Sequence, residues 1–191
     1  KVIKNELVDY VCRGEGEGAV VEMANALCAG GRIDQIKNFT IKGNGNIYRN
    51  GMRPPIDIDT VPIPDWDLFE EGSLYRPMQG KIWRAVGFET QRGCPYTCTF
   101  CNSPSNNVEY KSETGGKFHR KKSIERMKKE LDFLVKKYDP NLIYFVVDTF
   151  LAMSNREFDE MKELYSDYKI PFWIRFIYIL IFLVFRFILI F

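Results

Sequence analysis

Residues 123–147, SIERMKKELDFLVKKYDPNLIYFVV, predict the fold class of this 191-residue chain. Apolar residues recur at helical spacing over 124–138, and Ser123 can cap that helix because its hydroxyl can accept a backbone N–H. The Asp139-Pro140 pair ends the helix. Residues 142–147 then form an unbroken apolar run, which is typical of a strand covered on both faces of a parallel sheet.

Strands and helices alternate on both sides of this stretch. Residues 83–90 before it indicate a strand, and residues 155–168 after it have the apolar spacing of a second helix. Residues 170–174 begin a further strand, whereas residues 93–122 are polar and are expected to form an irregular loop. Repeated strand–helix units predict an α/β fold, either a parallel sheet or an α/β barrel.

The first third of the chain has a different organisation. Residues 7–12 and 17–27 predict a strand and a helix joined by a Gly-rich turn. Residues 39–49 predict a small β-hairpin, because Gly43-Asn44-Gly45 at its centre tolerates positive φ angles. Residues 53–67 contain four prolines, so we expect an extended linker and a domain boundary there.

Composition limits the classes of function. Lys and Arg number 27 against 25 Asp and Glu, and the resulting net charge of +2 gives no support for a nucleic-acid partner. Five cysteines, an odd number, argue against a secreted disulfide framework and for a reducing, cytoplasmic compartment. Residues 175–191 form an atypical hydrophobic tail, but its uncharged part, 176–185, is too short for a membrane-spanning helix, so a membrane partner is not expected.

The motif RGCPYTCTFC, residues 92–101, carries the metal chemistry. Its C-x3-C-x2-C spacing lets one loop direct Cys94, Cys98 and Cys101 at a single centre. Structural zinc usually takes a closed set of four ligands, whereas a 4Fe-4S cluster held by three thiolates leaves one iron open. The spacing favours the cluster. The alternative is a non-catalytic zinc-binding module in which His119 is the fourth ligand.

Two other motifs have structural interpretations. Residues 14–19, GEGEGA, imitate a dinucleotide-binding turn, but Glu15 and Glu17 place two carboxylates at the helix N-terminus and would repel a pyrophosphate. Residues 117–122, KFHRKK, are expected to be a solvated charged surface that includes His119. We therefore expect neither motif to bind a ligand.

The cysteine loop resembles the signature of the radical S-adenosylmethionine (radical SAM) enzymes. Three further segments resemble successive landmarks of the cobalamin-binding subgroup of that family: RGEGE at 13–17, DTVPIPDWDLF at 59–69 and IYFVVDTF at 143–150. The resemblance covers residues 1 to about 174. It implies the start of a partial (β/α)6 TIM-type radical SAM barrel, preceded by the C-terminal remnant of a Rossmann-like cobalamin-binding domain.

This resemblance implies four segments and a chain truncated at both ends. The segments are the end of the Rossmann-like domain (1–37), the β-hairpin and Pro-rich linker (38–82), the N-terminal part of the barrel (83–174) and the hydrophobic tail (175–191). The subgroup's usual cobalamin-ligand motif, Asp-x-His-x-x-Gly, is absent, since His119 is the only histidine. The resemblance implies cobalamin in the full-length protein, although this chain does not contain that ligand motif.

The resemblance also implies an activity and its residues. Cys94, Cys98 and Cys101 would ligate a 4Fe-4S cluster, the backbone of Phe100 would face the adenine of S-adenosylmethionine, and Asp148 would meet its amino group. Such enzymes cleave S-adenosylmethionine reductively to a 5'-deoxyadenosyl radical, here for methyl transfer or a related radical transformation. The implied partners are a small-molecule or peptide substrate and a reductant such as flavodoxin or ferredoxin. The isolated fragment is expected to be inactive.

Overall fold

The computed structural model describes residues 2–43 and 45–174. The chain divides into two compact units. Unit 1 comprises Lys1–Ile56 and Tyr96–Phe118, and unit 2 comprises Asp57–Pro95 and the chain from His119 onward. The predicted hydrophobic tail, 175–191, lies outside the described residues. No helix in the part of the chain that is described is long and apolar enough to cross a membrane.

Unit 1 contains a three-stranded antiparallel sheet in the order β1-β2-β3. Its strands are β1 (Tyr10–Cys12), β2 (Phe39–Gly43) and β3 (Asn46–Arg49), and helix α1 is Glu17–Cys28. The buried residues that join α1 to the sheet are Ala19, Met23, Ile36, Phe39 and Ile41. The predicted strand, helix and hairpin are confirmed. The sheet of a Rossmann-like domain is mostly parallel, so the remnant of such a domain stays a prediction.

A helix that the sequence did not predict follows the cysteine loop. Helix α2, Ser103–Thr114, begins with a proline in its first turn, where the missing N–H costs no helical hydrogen bond. It ends at Gly115, whose φ of 69° is the left-handed conformation of a helix C-terminus. The expectation of an irregular loop over 93–122 is therefore wrong for these 12 residues. Their sequence, SPSNNVEYKSET, has too few apolar side chains to show helical periodicity.

Unit 2 contains the parallel sheet that the strand–helix repeats predict. Its strands are β4 (Tyr75–Met78), β5 (Lys81–Phe88), β8 (Leu142–Phe145) and β9 (Phe172–Trp173), in the order β4-β5-β8-β9. β5, β8 and β9 are parallel, and β4 is antiparallel at the edge. In a separate antiparallel pair, β6 (Gln91–Arg92) comes before α2 in the chain and β7 (Arg120–Lys121) comes after it.

Helices α3 (Ile124–Tyr138) and α4 (Asn155–Ser166) connect the parallel strands and form a core with them. The Ser123 hydroxyl accepts the Arg126 N–H at 3.1 Å, which confirms the predicted N-cap. The buried core includes Val86, Phe88, Leu131, Leu134, Ile143, Phe145, Met161 and Leu164. The mixed α/β fold is confirmed, and the start of a partial (β/α)6 barrel stays a prediction.

The Pro-rich segment runs beside α3. The Asp59 carboxylate accepts the Ser123 N–H at 3.0 Å, and Arg126 donates to the Val61 carbonyl at 2.6 Å. Further along the segment, Asp65 Oδ1 lies 2.9 Å from Lys137 Nζ. The segment contains a turn at residues 58–60, where the Thr60 N–H donates to the Asp57 carbonyl at 3.0 Å, and otherwise has no helix or strand before the short 3-10 helix at Trp66–Leu68.

The N-terminus of α4 has a capping box that is sensitive to pH. The Ser154 N–H donates to Glu157 Oε2 at 2.6 Å, and the Glu157 N–H donates to Ser154 Oγ at 3.3 Å. Lys121 Nζ lies 2.8 Å from Glu157 Oε1. Hydrogen bonding to Lys121, followed by the bonds from Ser154, lowers the pKa of Glu157 from 4.5 to about 2.

We expect the Glu157→Gln variant to lose about 1 kcal/mol of unfolding free energy at pH 7. The folded-state pKa lies below the unfolded value, so the stabilisation is complete above about pH 4.5 and is lost as the pH falls toward 2. Urea unfolding measures the difference in unfolding free energy between the variant and the parent chain, and this difference should be about half as large at pH 3 as at pH 7. Arg156→Gln, whose pair with Glu160 is exposed, is the control. A pH-independent difference would contradict this account.

Candidate functional site

The first predicted ligand, Cys94, lies just beyond the carboxyl end of β5 in unit 2. Strand β6 precedes it and pairs with β7, with Arg92 opposite Arg120. Gly93 follows with a φ of 81°, which glycine adopts without steric cost. Cys94 is buried, with 6% of its surface exposed. Functional groups of α/β proteins gather at the carboxyl ends of parallel strands, where this cysteine lies.

The segment after β8 reaches the same edge of the sheet. The Val146 N–H donates to the Phe88 carbonyl at 2.9 Å, and the Gln91 side-chain amide donates to the Thr149 carbonyl. Asp148 lies in this segment, and its side chain is exposed. Unit 2 therefore places Cys94 and Asp148 on neighbouring segments beyond the ends of adjacent parallel strands.

The other two predicted ligands lie in unit 1, at the start of α2. The Cys101 N–H donates to the Cys98 carbonyl at 3.2 Å, so these residues form a turn. Cys101 Sγ accepts the Ser103 N–H at 3.4 Å and lies 3.5 Å from Ser103 Oγ. N–H groups in the first turn of a helix favour negative charge on a nearby sulfur. Phe100, between the two cysteines, is 80% exposed and accessible to a ligand.

The donor set fits a 4Fe-4S cluster by its chemistry. All five cysteines are outside disulfides, and three of them lie within eight residues of one loop. Thiolates are the usual protein ligands of iron–sulfur clusters, and each of the three would bind a different iron. A structural zinc ion instead needs all its ligands within about 2.3 Å of one point. Across the described residues, no three His, Cys, Asp or Glu side chains are arranged to hold a single metal ion.

His119, the fourth ligand of the zinc alternative, is half-buried in unit 2 just before β7. Burial, with a smaller contribution from Lys121, lowers the pKa of His119 below its ordinary value of 6.5, and the charges of Glu157 and Asp148 act in the opposite direction. Within the described part of the chain its Nε2 atom is buried and has no hydrogen-bond partner. His119 is therefore mostly neutral at pH 7.

Unit 2 contains a buried ion pair, and it corrects the prediction of a solvated surface over residues 117–122. Lys122 is only 7% exposed, and its Nζ lies 2.8 Å from Oε2 of the fully buried Glu130. Arg126 Nε lies 3.4 Å from the same oxygen. The Lys122 N–H donates to the Thr90 carbonyl at 2.9 Å, which ties β7 to the residues just after β5. The sequence contains a signal for this buried pair, because the charged Glu130 interrupts the apolar face of α3 between Met127 and Leu134.

No family model matches the chain, but it is similar to curated proteins and to solved structures. The chain is 35% identical over 156 residues to an uncharacterized methyltransferase of Pyrococcus horikoshii, a match that covers 80% of this chain and 31% of that protein. It is 29% identical over 167 residues to the anaerobic magnesium-protoporphyrin IX monomethyl ester cyclase of Rubrivivax gelatinosus, covering 82% of this chain and 27% of the cyclase. The chain thus spans less than a third of the length of these curated relatives.

Two solved enzymes share the fold. The apo form of OxsB, a cobalamin-dependent S-adenosylmethionine radical enzyme, matches with a TM-score of 0.65 at 22% identity over 90% of this chain and 23% of its own. The radical S-adenosylmethionine methyltransferase TsrM of Kitasatospora setae matches with a TM-score of 0.51 at 16% identity, over 88% of this chain and 31% of its own. OxsB has been solved with aqua-cobalamin and S-adenosylmethionine, and TsrM with cobalamin and a [4Fe-4S] cluster. The chain is therefore similar in sequence to these curated relatives and shares the fold of the two solved enzymes.

Proposed function

We propose that this chain is the cluster-binding and S-adenosylmethionine-binding part of a radical SAM enzyme that uses cobalamin in methyl transfer. The observation that carries the proposal is the C-x3-C-x2-C loop that begins at the carboxyl end of β5. The methyltransferase names of the Pyrococcus horikoshii relative and of TsrM support the reaction class. The cofactors named for the solved enzymes support the cofactor set.

Each site residue has a proposed role that follows from its surroundings. Cys94, Cys98 and Cys101 would hold the cluster, which when bound supplies the electron for reductive cleavage of S-adenosylmethionine. Burial of Cys94 keeps water away from its sulfur, and the Ser103 N–H stabilises negative charge on Cys101. The exposed Asp148 carboxylate can accept a ligand ammonium group, and the adenine would lie beside Phe100.

For the whole protein, we propose methyl transfer to a small-molecule or peptide substrate, with electrons from a flavodoxin- or ferredoxin-type reductant in the cytoplasm. We also propose that β5, β8 and β9 begin a (β/α)6 barrel and that residues 1–37 end a Rossmann-like domain. The chain covers less than a third of the length of the curated relatives that it matches, so we propose that the 191-residue chain alone turns over no substrate.

The test is the EPR spectrum of the reduced, anaerobically reconstituted chain with and without S-adenosylmethionine. We expect the cofactor to change the spectrum, because the open iron gains a ligand. His119→Ala should leave both the iron content and this change unaltered. In the zinc module the same variant would release the metal, since a structural site needs its fourth ligand. If the chain holds a full cluster and its EPR spectrum does not change when S-adenosylmethionine is added, the proposed binding of S-adenosylmethionine is contradicted.

A further inference from the structure

We infer that the RGEGE turn, residues 13–17, is a positioning element that holds α2 and thereby the Cys98–Cys101 side of the cysteine loop. This inference rests on the proposed cluster site. The turn, its partners and both of these cysteines belong to unit 1. We call the contacts between the turn, Arg49 and α2 the α2 clasp.

The charged part of the α2 clasp joins two guanidinium groups to two carboxylates one helical turn apart. Arg13 Nη1 lies 2.5 Å from Glu109 Oε1 and 2.8 Å from Glu113 Oε1. Arg49 Nη2 lies 3.0 Å from Glu109 Oε1. Hydrogen bonding to Arg13 lowers the pKa of Glu113, so this carboxylate is ionised at neutral pH. The Arg13 side chain is only 14% exposed, and charge-assisted contacts shielded in this way are stronger than those in open solvent.

The uncharged part of the α2 clasp is a polar socket for Tyr110, which is 2% exposed. The Glu15 N–H donates to Tyr110 Oη at 2.9 Å. A Cβ at Gly14, whose φ is 72°, would lie 2.4 Å from that oxygen, so the approach requires glycine. The Glu15 carboxylate accepts the Ile56 N–H at 2.8 Å, and Asn38 donates to the Glu15 carbonyl at 2.7 Å. These bonds fix the turn against which the tyrosine docks.

Helix α2 depends on such contacts because it has little else to hold it. It buries only Ser103 and Tyr110, and its Ser, Asn and Thr residues are weak helix formers. A helix of 12 residues is marginal in water without tertiary contacts. Cys101 lies two residues before α2, and its sulfur accepts the Ser103 N–H of the first turn. A shift of α2 therefore moves the third predicted cluster ligand.

The test replaces Arg13 and follows two independent quantities in the 191-residue chain. In the cluster-free chain, Arg13→Met should make the backbone amides of α2 exchange with deuterium about tenfold faster. In the reconstituted chain, it should increase the rate of iron release to a chelator about tenfold and change the EPR line shape. Arg13→Lys keeps the positive charge, so its rates of amide exchange and of iron release should lie between those of Arg13→Met and the parent chain. Arg32→Met, which breaks an exposed pair with Asp34 in the same unit, should change neither.

The outcomes separate the inference from the proposed function. If Arg13→Met makes the α2 amides exchange faster but leaves iron release unchanged, the positioning role is overturned and the cluster proposal stays intact. The same conclusion follows if this variant leaves the exchange of the α2 amides unchanged. A parent chain that takes up no iron overturns the proposed function and this inference with it. If Arg13→Met also accelerates exchange in β2, Tyr110→Phe provides the milder variant. It removes only the hydroxyl that the Glu15 N–H meets, and unchanged exchange of α2 in this variant again overturns the inference.

Discussion

Replacing Cys98 with alanine is expected to lower the iron content of the anaerobically reconstituted chain from about four atoms to less than one. The cluster has three protein ligands in this account, and the loss of one leaves two irons without a thiolate. The half-buried Cys98 provides its backbone carbonyl to the Cys101 N–H, a contact that alanine preserves. The variant therefore removes the sulfur and keeps the turn. Iron and sulfide analysis, with the visible absorption spectrum, measures the effect.

Cys28→Ala is the matched control for this variant. Cys28 is exposed at the C-terminal end of α1, away from the cysteine motif in sequence, and lies outside any disulfide. We expect its replacement to leave iron, sulfide and the spectrum unchanged. Full cluster content in the Cys98→Ala chain, or equal losses in both variants, would contradict the assignment of Cys98 as a ligand.

Lys122→Met is expected to lower the free energy of unfolding by about 3 kcal/mol, the largest stability effect that we predict. Glu130 has no exposed surface, and its nearest cation is Lys122 Nζ at 2.8 Å. Methionine fills the space of the lysine stem but leaves the carboxylate buried beside Arg126 alone, with Arg126 Nε 3.4 Å away. A buried carboxylate that loses the nearer of its two cations is poorly compensated, and this costs more than the intact contact contributes. Urea unfolding at pH 7 measures the change.

Two further chains test the physical reason for that loss. The double variant Lys122→Met/Glu130→Leu should recover part of the lost stability, because it removes the buried carboxylate and fills both positions with apolar atoms, while Arg126 keeps its bond to the Val61 carbonyl. Lys128→Met breaks an exposed pair with Asp132 in the same helix and should cost less than about 0.5 kcal/mol. A double variant less stable than Lys122→Met would contradict the account, as would a loss no larger than that of Lys128→Met.

The elements that the sequence predicts well are those whose signals are local. Helix α3 shows its apolar face and its Ser123 cap within 16 residues, and β8 shows as an unbroken apolar run. The hairpin of β2 and β3 is visible from its glycines alone. Parallel pairing of β5 with β8 then follows from the helix between them.

The elements that the sequence does not predict depend on contacts between distant residues. Helix α2 has no apolar periodicity, and its partner Arg13 lies 100 residues before Glu113. The RGEGE turn could be excluded as a nucleotide site from its carboxylates, but its contact with Tyr110 spans 95 residues. The burial of Lys122 depends on a carboxylate eight positions away on the next helix. Charge alone therefore predicted a solvated run where the structure has a buried pair.

The candidate site is predictable in its chemistry and less so in its surroundings. Spacing alone selected Cys94, Cys98 and Cys101, and the structure supplies their environments: a buried position beyond β5 for the first and a helix start for the third. The roles of Phe100 and Asp148 come from the family resemblance and stay predictions. Antiparallel pairing of β1 with β2 was not visible either, because a three-residue strand carries no signal for its partner.

The most direct measurement of the central claim is the iron, sulfide and zinc content of the chain after anaerobic reconstitution. The C-x3-C-x2-C spacing of the three thiols in one loop predicts about four irons and four sulfides per chain and no zinc. Stoichiometric zinc with no iron would contradict the cluster and assign the chain to the zinc-binding modules instead.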